Sequence, residues 1–157
     1  FLLEPSLVES PPDDDVADAV PEAIDTVAAA TDAEVVVQTY FGALDEKTYA
    51  YLMDADVDAL GLDLVAADRE QTVYNAVEYG ITDDVALGVS DGQNTRVESA
   101  ETLRERVEWF TDQVPMTDFE TVYVSTNTEL FYLPVNRYRE KLAALAAAAD
   151  LEREVSA

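Results

Sequence analysis

The sequence contains no cysteine and no histidine. It can therefore form no disulfide, and it offers neither the thiolate nor the imidazole ligands of the usual zinc sites. Catalytic arrangements of serine or cysteine with histidine are excluded for the same reason. Any chemistry of this chain has to use carboxylates, tyrosines, lysines, amides or the backbone.

Basic residues are scarce, with 9 Lys and Arg against 34 Asp and Glu and a net charge of −25. So few cations cannot form the basic face that nucleic acids and anionic membranes require, and neither is predicted as a partner. The sequence has no apolar run of membrane-spanning length and no basic segment ahead of an apolar stretch. We therefore predict a cytoplasmic protein without a membrane span or a visible export signal.

The acidic residues are spread along the chain, and the longest run is only Asp13-Asp14-Asp15. Such a charge repels itself at low ionic strength, whereas molar salt screens it over a few ångströms. We interpret the composition as adaptation to a salt-rich cytoplasm, and an ordinary acidic protein is the alternative. The halophilic interpretation predicts that the chain unfolds below roughly 1 M salt. A circular dichroism melt that is the same in dilute buffer as in molar salt would contradict this interpretation.

Apolar residues make up 48% of the 157 residues, enough for a folded core, and the length suggests one domain covering residues 1–157. The chain opens at Phe1, without Met and inside the apolar run FLLEPSLV, so we expect a fragment or a processed chain. Five strands are predicted: one at the start of the apolar run FLLEPSLV, ending at Glu4 before Pro5, and four at residues 34–41, 57–65, 84–92 and 121–125. The intervening helices are predicted at residues 16–30, after Asp45, at 69–79, from 99–102 onward, and at 138–154.

A strand followed by a helix, five times over, indicates parallel β/α units in an α/β fold. The spacing suits a doubly wound sheet or a TIM-type (β/α)8 barrel. With five glycines and neither GxGxxG nor GxxxxGK[ST], a glycine-rich phosphate cradle is excluded. Five units are about three short of the eight of a closed barrel. The sequence thus predicts one partial β/α barrel whose remaining units come from missing upstream sequence or from another chain.

Polar residues follow each predicted strand, where parallel α/β folds carry their chemistry. The five polar strand ends are Glu4; Gln38, Thr39 and Tyr40; Asp63; Ser90 to Asn94; and Ser125 to Glu129. We predict that they form one site at the mouth of the barrel.

Each position also has a purely structural interpretation. Glu4 could pair with Arg96, and Asp63 could hydrogen-bond a neighbouring strand. The dipeptide Asp91-Gly92 is common in turns, and Thr39 with Tyr40 could serve packing alone. Asn127 and Glu129 could instead make hydrogen bonds within their loop. Trp109, on a predicted helix, is interpreted as packing between that helix and the barrel.

The stretches LLEPSLV, VVVQTYFGAL, VDALGLDLV, LGVSDGQNT and YVSTNTELFYLPV, in this order, resemble the cobalamin-independent methionine synthase family. That family's enzyme consists of two face-to-face β/α barrels. TYF, LDLV, VSDGQN and VSTNTELFYLP are close to motifs of its amino-terminal, zinc-free barrel, and the resemblance extends from Leu2 to about Ala148. Thr95 to Ser99 (TRVES) also echoes an element of the catalytic barrel.

The catalytic barrel of the family binds zinc through His, Cys, Glu and Cys and activates homocysteine as a zinc thiolate. The matching positions here hold Val37, Thr39, Asp63 and Thr128, of which only Asp63 could ligate a metal. Leu3 stands where the DEP motif of the family has its homocysteine-contacting Asp. The resemblance therefore implies that this chain binds no metal and corresponds to the zinc-free barrel.

The resemblance implies a part in methyl transfer from a folate-type or similar donor to homocysteine, in methionine biosynthesis. A zinc-bearing barrel is then the expected partner, small molecules are the substrates, and no cofactor is bound by this chain. No catalytic residue is assigned, and the candidate substrate-binding residues are Glu4, Tyr40, Asp63, Asp91, Gln93, Asn94, Asn127 and Glu129.

Two other functions remain open from the sequence. The chain could be a non-catalytic scaffold or regulatory barrel of a zinc-bearing methyltransferase. It could also be a protein of the related uroporphyrinogen decarboxylase type. That function needs arginines to receive substrate carboxylates, and only Arg69 and Arg96 are predicted near strand ends.

Overall fold

The computed structural model describes residues 1–151. Its strands form one five-stranded parallel sheet in the order β1-β2-β3-β4-β5. The strands are β1 (Leu2–Leu3), β2 (Val36–Gln38), β3 (Ala59–Asp63), β4 (Asp84–Ser90) and β5 (Thr121–Thr126). The helices are α1 (Ser6–Glu9), α2 (Ala19–Ala28), α3 (Glu46–Leu52), α4 (Arg69–Tyr79), α5 (Ala100–Gln113) and α6 (Val135–Asp150).

The order of the strands decides between the two predicted α/β architectures. A doubly wound sheet reverses its strand order at a switch point, whereas each strand of a barrel pairs with the next one along the chain. Here every neighbouring pair is sequential and parallel. The predicted α/β fold of the barrel type is confirmed, in the form of five consecutive units.

The two faces of the sheet differ in the size of their side chains. The face toward the helices carries large residues such as Val37, Leu62 and Leu87, which belong to the main core. The other face, which lines the inside of a barrel, carries small residues at the buried positions Ala59 and Ala86. Val36 and the half-buried Tyr123 complete this inner cluster, which is much smaller than the core beneath the helices.

Three helices begin as the sequence predicts. The side chains of Asp45, Asp68 and Ser99 accept hydrogen bonds from first-turn backbone N–H groups of α3, α4 and α5. These bonds satisfy donors that have no partner within the helix. Gly80, with φ of 87°, ends α4 at the predicted residue because a left-handed backbone is easiest for glycine.

The amino-terminal apolar run contains a strand that ends directly before Glu4, as predicted. The run at residues 1–8 forms only the two-residue strand β1, because Pro5 starts the short helix α1. Helix α2 begins at Ala19, which places Pro21 in its first turn. No intrahelical donor is lost there, so the suspected break at Pro21 does not occur.

The last helix begins at Val135, three residues before the predicted Tyr138, because Pro134 can precede a helix whose first N–H groups need no helical acceptor. It ends at Asp150, and the predicted end near Glu154 lies outside the described residues. Within residues 1–151, no helix combines the length and the apolarity needed to cross a membrane.

Candidate functional site

Asp63 lies at the carboxyl end of β3 and is almost completely buried, with 1% of its surface exposed. Its Oδ1 accepts hydrogen bonds from the backbone N–H groups of Val65 and Ala66, each at 2.8 Å. Its Oδ2 accepts from the N–H of Phe41 at 3.1 Å and from Nδ2 of Asn127 at 3.2 Å. Both oxygens are thus used, as in the structural interpretation of this residue.

One of these bonds holds an unusual backbone conformation. Phe41 has φ of 75°, a left-handed value that a bulky residue adopts only when its surroundings impose it. The bond from its N–H to Asp63 stabilises that conformation immediately after Tyr40. The rings of Tyr40 and Phe41 stack edge to face, with centroids 4.7 Å apart. Asp63 therefore holds, from the neighbouring strand, the backbone turn that directly follows Tyr40.

Asn127 connects three strand ends. Its Nδ2 donates to Asp63 and its Oδ1 accepts from the N–H of Gly92 at 2.8 Å. Its own N–H donates to the carbonyl of Ser90 at 2.9 Å. Gly88 makes this approach possible, because a Cβ at that position would lie 2.7 Å from the Cα of Asn127. Asp63 and Asn127 form the interior of the site.

The rim of the site, defined here as Glu4, Tyr40 and Glu129, comes from β1, β2 and β5. Burial raises the pKa of Tyr40, and the negative charges of Glu129 and Glu4 raise it further. The structure thus brings these three predicted residues together. The only side-chain partner shown for Glu4 is Ser6, whose Oγ donates at 3.2 Å, and no ion pair joins Glu4 to Arg96 within the described part of the chain.

Three buried side-chain atoms without a hydrogen-bond partner lie at this end of the sheet: Oε1 of Gln38, Oγ of Ser125 and Oε2 of Glu129. A fourth such atom, Oδ1 of Asp84, lies at the opposite end, where β4 begins. Gln38 is 3% exposed, and its Nε2 donates to the carbonyl of Thr39 at 2.9 Å. Such atoms are rare in folded proteins because each one has lost its water without gaining a partner. They leave bonding capacity for a ligand or for further protein.

The loop after β4, residues 91–96, carries three more predicted residues. Oδ1 of Asp91 accepts from the N–H of Gln93, and Oδ1 of Asn94 accepts from the N–H of Arg96, each at 2.9 Å. These bonds are typical of turns, which agrees with the structural interpretation of Asp91-Gly92. The side chains of Gln93 and Asn94 are exposed at the loop surface.

Beside this loop lies a charged cluster that the sequence analysis missed. Glu98 accepts from Nζ of Lys141 at 2.8 Å, from the N–H of Asp91 at 2.9 Å and from Oγ of Ser90 at 3.2 Å. Arg106 lies 3.6 Å from the same carboxylate. Burial opposes ionisation of Glu98, but these donors outweigh it and lower its pKa. A signal did exist, because Lys141 stands at helical spacing with buried Leu145 and Ala148.

One more arginine lies near a strand end than the sequence predicts. Besides Arg69 and Arg96, Arg106 reaches a strand end from α5 and donates to the carbonyl of Val89. Arg69 donates through Nε to the carbonyl of Leu64 at 3.1 Å, and its guanidinium lies 5.3 Å from the ring centre of Trp109. Trp109 thus packs against Arg69 of α4 and against the main core, which agrees with its interpretation as a packing residue.

The described residues do not fit the zinc ion of the family. Val37 belongs to the core beneath the helices, and the hydroxyls of Thr39 and Thr128 donate to backbone carbonyls. Both oxygens of Asp63 accept hydrogen bonds, as described above. Within residues 1–151, no three His, Cys, Asp or Glu side chains are grouped so that they could hold a metal ion.

Comparisons with known proteins agree with the fold and the motifs. A B12-independent methionine synthase from Shewanella sp. W3-18-1, solved in complex with selenomethionine, superimposes with a TM-score of 0.74 at 18% identity, over 94% of this chain and 46% of that one. The curated 5-methyltetrahydropteroyltriglutamate–homocysteine methyltransferase of Salinibacter ruber (strain DSM 13855 / M31) is 34% identical over 137 residues.

That aligned region covers 86% of this chain but 17% of the Salinibacter protein. The chain thus spans less than half of either relative. The model of the N-terminal domain of cobalamin-independent synthase matches residues 2–115. The predicted resemblance is therefore confirmed: the chain belongs to the family of the cobalamin-independent synthase N-terminal domain.

Proposed function

We propose that this chain is a zinc-free barrel unit that assists methyl transfer to homocysteine in methionine biosynthesis. Family membership and the name of the Salinibacter relative support the reaction class. The residues at the zinc positions do not fit a metal, so a zinc-bearing partner barrel supplies the thiolate in this proposal. The methyl donor is a folate or a similar molecule, and it binds without a cofactor held by this chain.

The observation that carries the proposal is the unfilled bonding capacity at the carboxyl end of the sheet, on the rim residue Glu129 and on two residues of β2 and β5. Oε1 of Gln38, Oγ of Ser125 and Oε2 of Glu129 are buried without partners. Carboxylates of Glu4 and Glu129 lie close enough to raise the pKa of Tyr40. Acceptors of this kind suit the ammonium group of an amino acid such as homocysteine or methionine, because a charged donor needs ionised or strongly polar acceptors when it leaves water.

The remaining candidate residues have supporting roles in this proposal. Asp63 and Asn127 hold the strand ends in register, and the loop with Asp91, Gln93 and Asn94 covers the cleft on the side of the donor or product.

Domain organisation follows from the same proposal: residues 1–157 are one partial barrel, and the further strands belong to a longer protein or to another chain. The excess of carboxylates supports operation in a salt-rich cytoplasm.

The test is a methylation assay in molar KCl with three samples: this chain, a zinc-bearing partner barrel, and both together. We expect a rate that appears or rises strongly only in the mixture. Glu129→Gln should lower the rate of the mixture, whereas Glu105→Gln, on the exposed face of α5, is the matched control. A fully active partner to which the chain adds nothing would overturn the proposal.

A scaffold or regulatory barrel is the second candidate, and one observation favours it. Strands β1 and β5 each pair with a single neighbour in the described sheet, so each has an edge open to further strands. Tight association with a zinc-bearing barrel at an unchanged rate would support this function. The decarboxylase alternative loses support, since Arg69 and Arg106 donate to backbone carbonyls of Leu64 and Val89.

A further inference from the structure

Lys141 is a fully buried lysine on α6, with no exposed surface. Its Nζ donates to the carboxylate of Glu98 at 2.8 Å and to the carbonyl of Arg96 at 2.5 Å. Burying an ammonium and a carboxylate together costs free energy that their attraction offsets only with good geometry and further hydrogen bonds. Apolar residues of similar volume would stabilise the fold as well, so the pair calls for another explanation.

The contacts of the pair show what it holds. Glu98 binds the start of the loop after β4, through the N–H of Asp91 and the hydroxyl of Ser90. Lys141 binds the end of the same loop, through the carbonyl of Arg96. Two charges that bond each other thus tie both ends of residues 91–96 to α6.

A second cation supports the same carboxylate. Arg106 on α5 lies 3.6 Å from Glu98 and donates to the carbonyl of Val89, one residue before Ser90. The tip of the loop is held from the other side, because the N–H of Gly92 donates to Asn127. The side chains between these two ties, those of Gln93, Asn94, Thr95 and Arg96, are exposed to solvent.

We propose that Glu98 is the positioning residue of the loop at residues 91–96, with its carboxylate held by Lys141 and Arg106. Its function is to keep Asp91, Gln93 and Asn94 at the mouth of the barrel in one conformation. The loop conformation is a property of this chain alone, whereas its consequence for methyl transfer rests on the function proposed above.

The test separates positioning from stability with the double variant E98M/K141M. Two methionines of similar length replace the pair, so neither Glu98 nor Lys141 is left as a buried charge without its partner. Arg106, whose side chain is 23% exposed, loses the carboxylate but keeps its bond to the carbonyl of Val89. The denaturation midpoint should therefore stay close to that of the wild type. The N–H of Asp91 loses its acceptor, and we expect its amide hydrogen exchange in molar KCl to become about tenfold faster or more. The amides of Leu62 and Leu87 inside β3 and β4 should keep their protection.

Glu108→Met is the matched control. Glu108 lies on α5 and pairs with Arg104 of the same helix at 2.9 Å. This pair makes no bond to the loop at residues 91–96, so exchange at Asp91 should not change. If the double variant does not fold, E98L/K141M replaces it, because leucine likewise offers no acceptor to the N–H of Asp91, and the ratio of exchange at Asp91 to exchange at Leu87 is then the readout.

Wild-type exchange at Asp91 in the double variant would overturn the proposal, and so would equal acceleration at Asp91, Leu62 and Leu87. The methylation assay is read separately. If the loop amide is released and the wild-type mixture shows no methylation, positioning stands and the proposed function fails. If methylation occurs, we expect the KM for homocysteine to rise about tenfold in the double variant.

Discussion

The interior of the site and its rim are both polar, but they differ in how their hydrogen bonds are used. In the interior, each oxygen of Asp63 accepts two bonds, and both ends of the Asn127 amide are paired. At the rim, Glu129 and the nearby Gln38 keep buried acceptor atoms without partners. The polar groups at the strand ends thus form two sets. The bonded set of the interior builds the mouth of the barrel, and the set with unpaired acceptors can bind a ligand at that mouth.

The largest effect should come from the interior, with Asp63→Ala. This change leaves three backbone N–H groups and the amide of Asn127 without their acceptor, so we expect a loss of about 3–5 kcal/mol in the free energy of unfolding. Asp68→Ala is the control, because Asp68 also accepts from two backbone N–H groups but is exposed at the start of α4. Its loss should be about 1 kcal/mol. Equal losses in denaturant titrations would contradict the special role of the interior.

Gly88→Ala should have the next largest effect. Its Cβ would lie 2.7 Å from the Cα of Asn127 and 3.1 Å from the carbonyl oxygen of Leu62, so the backbone itself has to move. We expect a loss of about 1–3 kcal/mol. Gly42→Ala, whose Cβ would meet only a methyl group of Val8 at 3.0 Å, should cost less in the same melts. A larger loss for Gly42→Ala than for Gly88→Ala would show that the backbone around Asn127 can move at little cost.

The pH dependence of Glu98 should give a smaller effect. Its pKa is lowered below the ordinary value of 4.5 in the folded chain, so ionised Glu98 stabilises the fold above that value. This stabilisation is lost as the pH falls through the lowered folded value. The difference in denaturation midpoint between wild type and E98Q should therefore be full at pH 7 and shrink below pH 4.5. A difference independent of pH would contradict the role of its charge.

Tyr40→Phe should have the smallest effect on stability and tests the rim. The hydroxyl of Tyr40 is protonated around neutral pH, as for any tyrosine with a pKa of 10.0 or above, so it can donate to a ligand; burial and the nearby carboxylates raise its pKa further. We expect a loss of less than about 1 kcal/mol but a partner-dependent methylation rate about tenfold lower. Tyr132→Phe, at a position 90% exposed, is the control. A rate equal to that of the control would remove Tyr40 from the site.

The fold was largely predictable because its signals are local. Asp45 and Ser99 precede helices as capping residues do, and Gly80 ends α4 as predicted. The strands predicted at residues 34–41, 57–65 and 84–92 were too long, because an apolar run does not show where the hydrogen-bond ladder with its neighbours stops. Residues 34–41, for example, were predicted as a strand, and only Val36–Gln38 pairs as one.

The site was predictable only as a set of positions. Residue type alone could not show that both oxygens of Asp63 accept hydrogen bonds while Oε1 of Gln38 accepts none. The hydrogen-bond partners of these atoms come from strands that are distant in sequence. The pair of Glu98 and Lys141 was missed for the same reason, because 43 residues separate them. A lysine on the apolar stripe of an alanine-rich helix was the one local indication.

The burial of Lys141 has a consequence for chemical labelling. The sequence has only two lysines, and the side chain of Lys47 is 47% exposed whereas that of Lys141 is not exposed at all. An amine-acylating reagent should therefore modify the amino terminus and Lys47 while Lys141 stays unmodified. Acylation at Lys141, counted by peptide mass spectrometry, would then report the fraction of molecules in which α6 has separated from the loop.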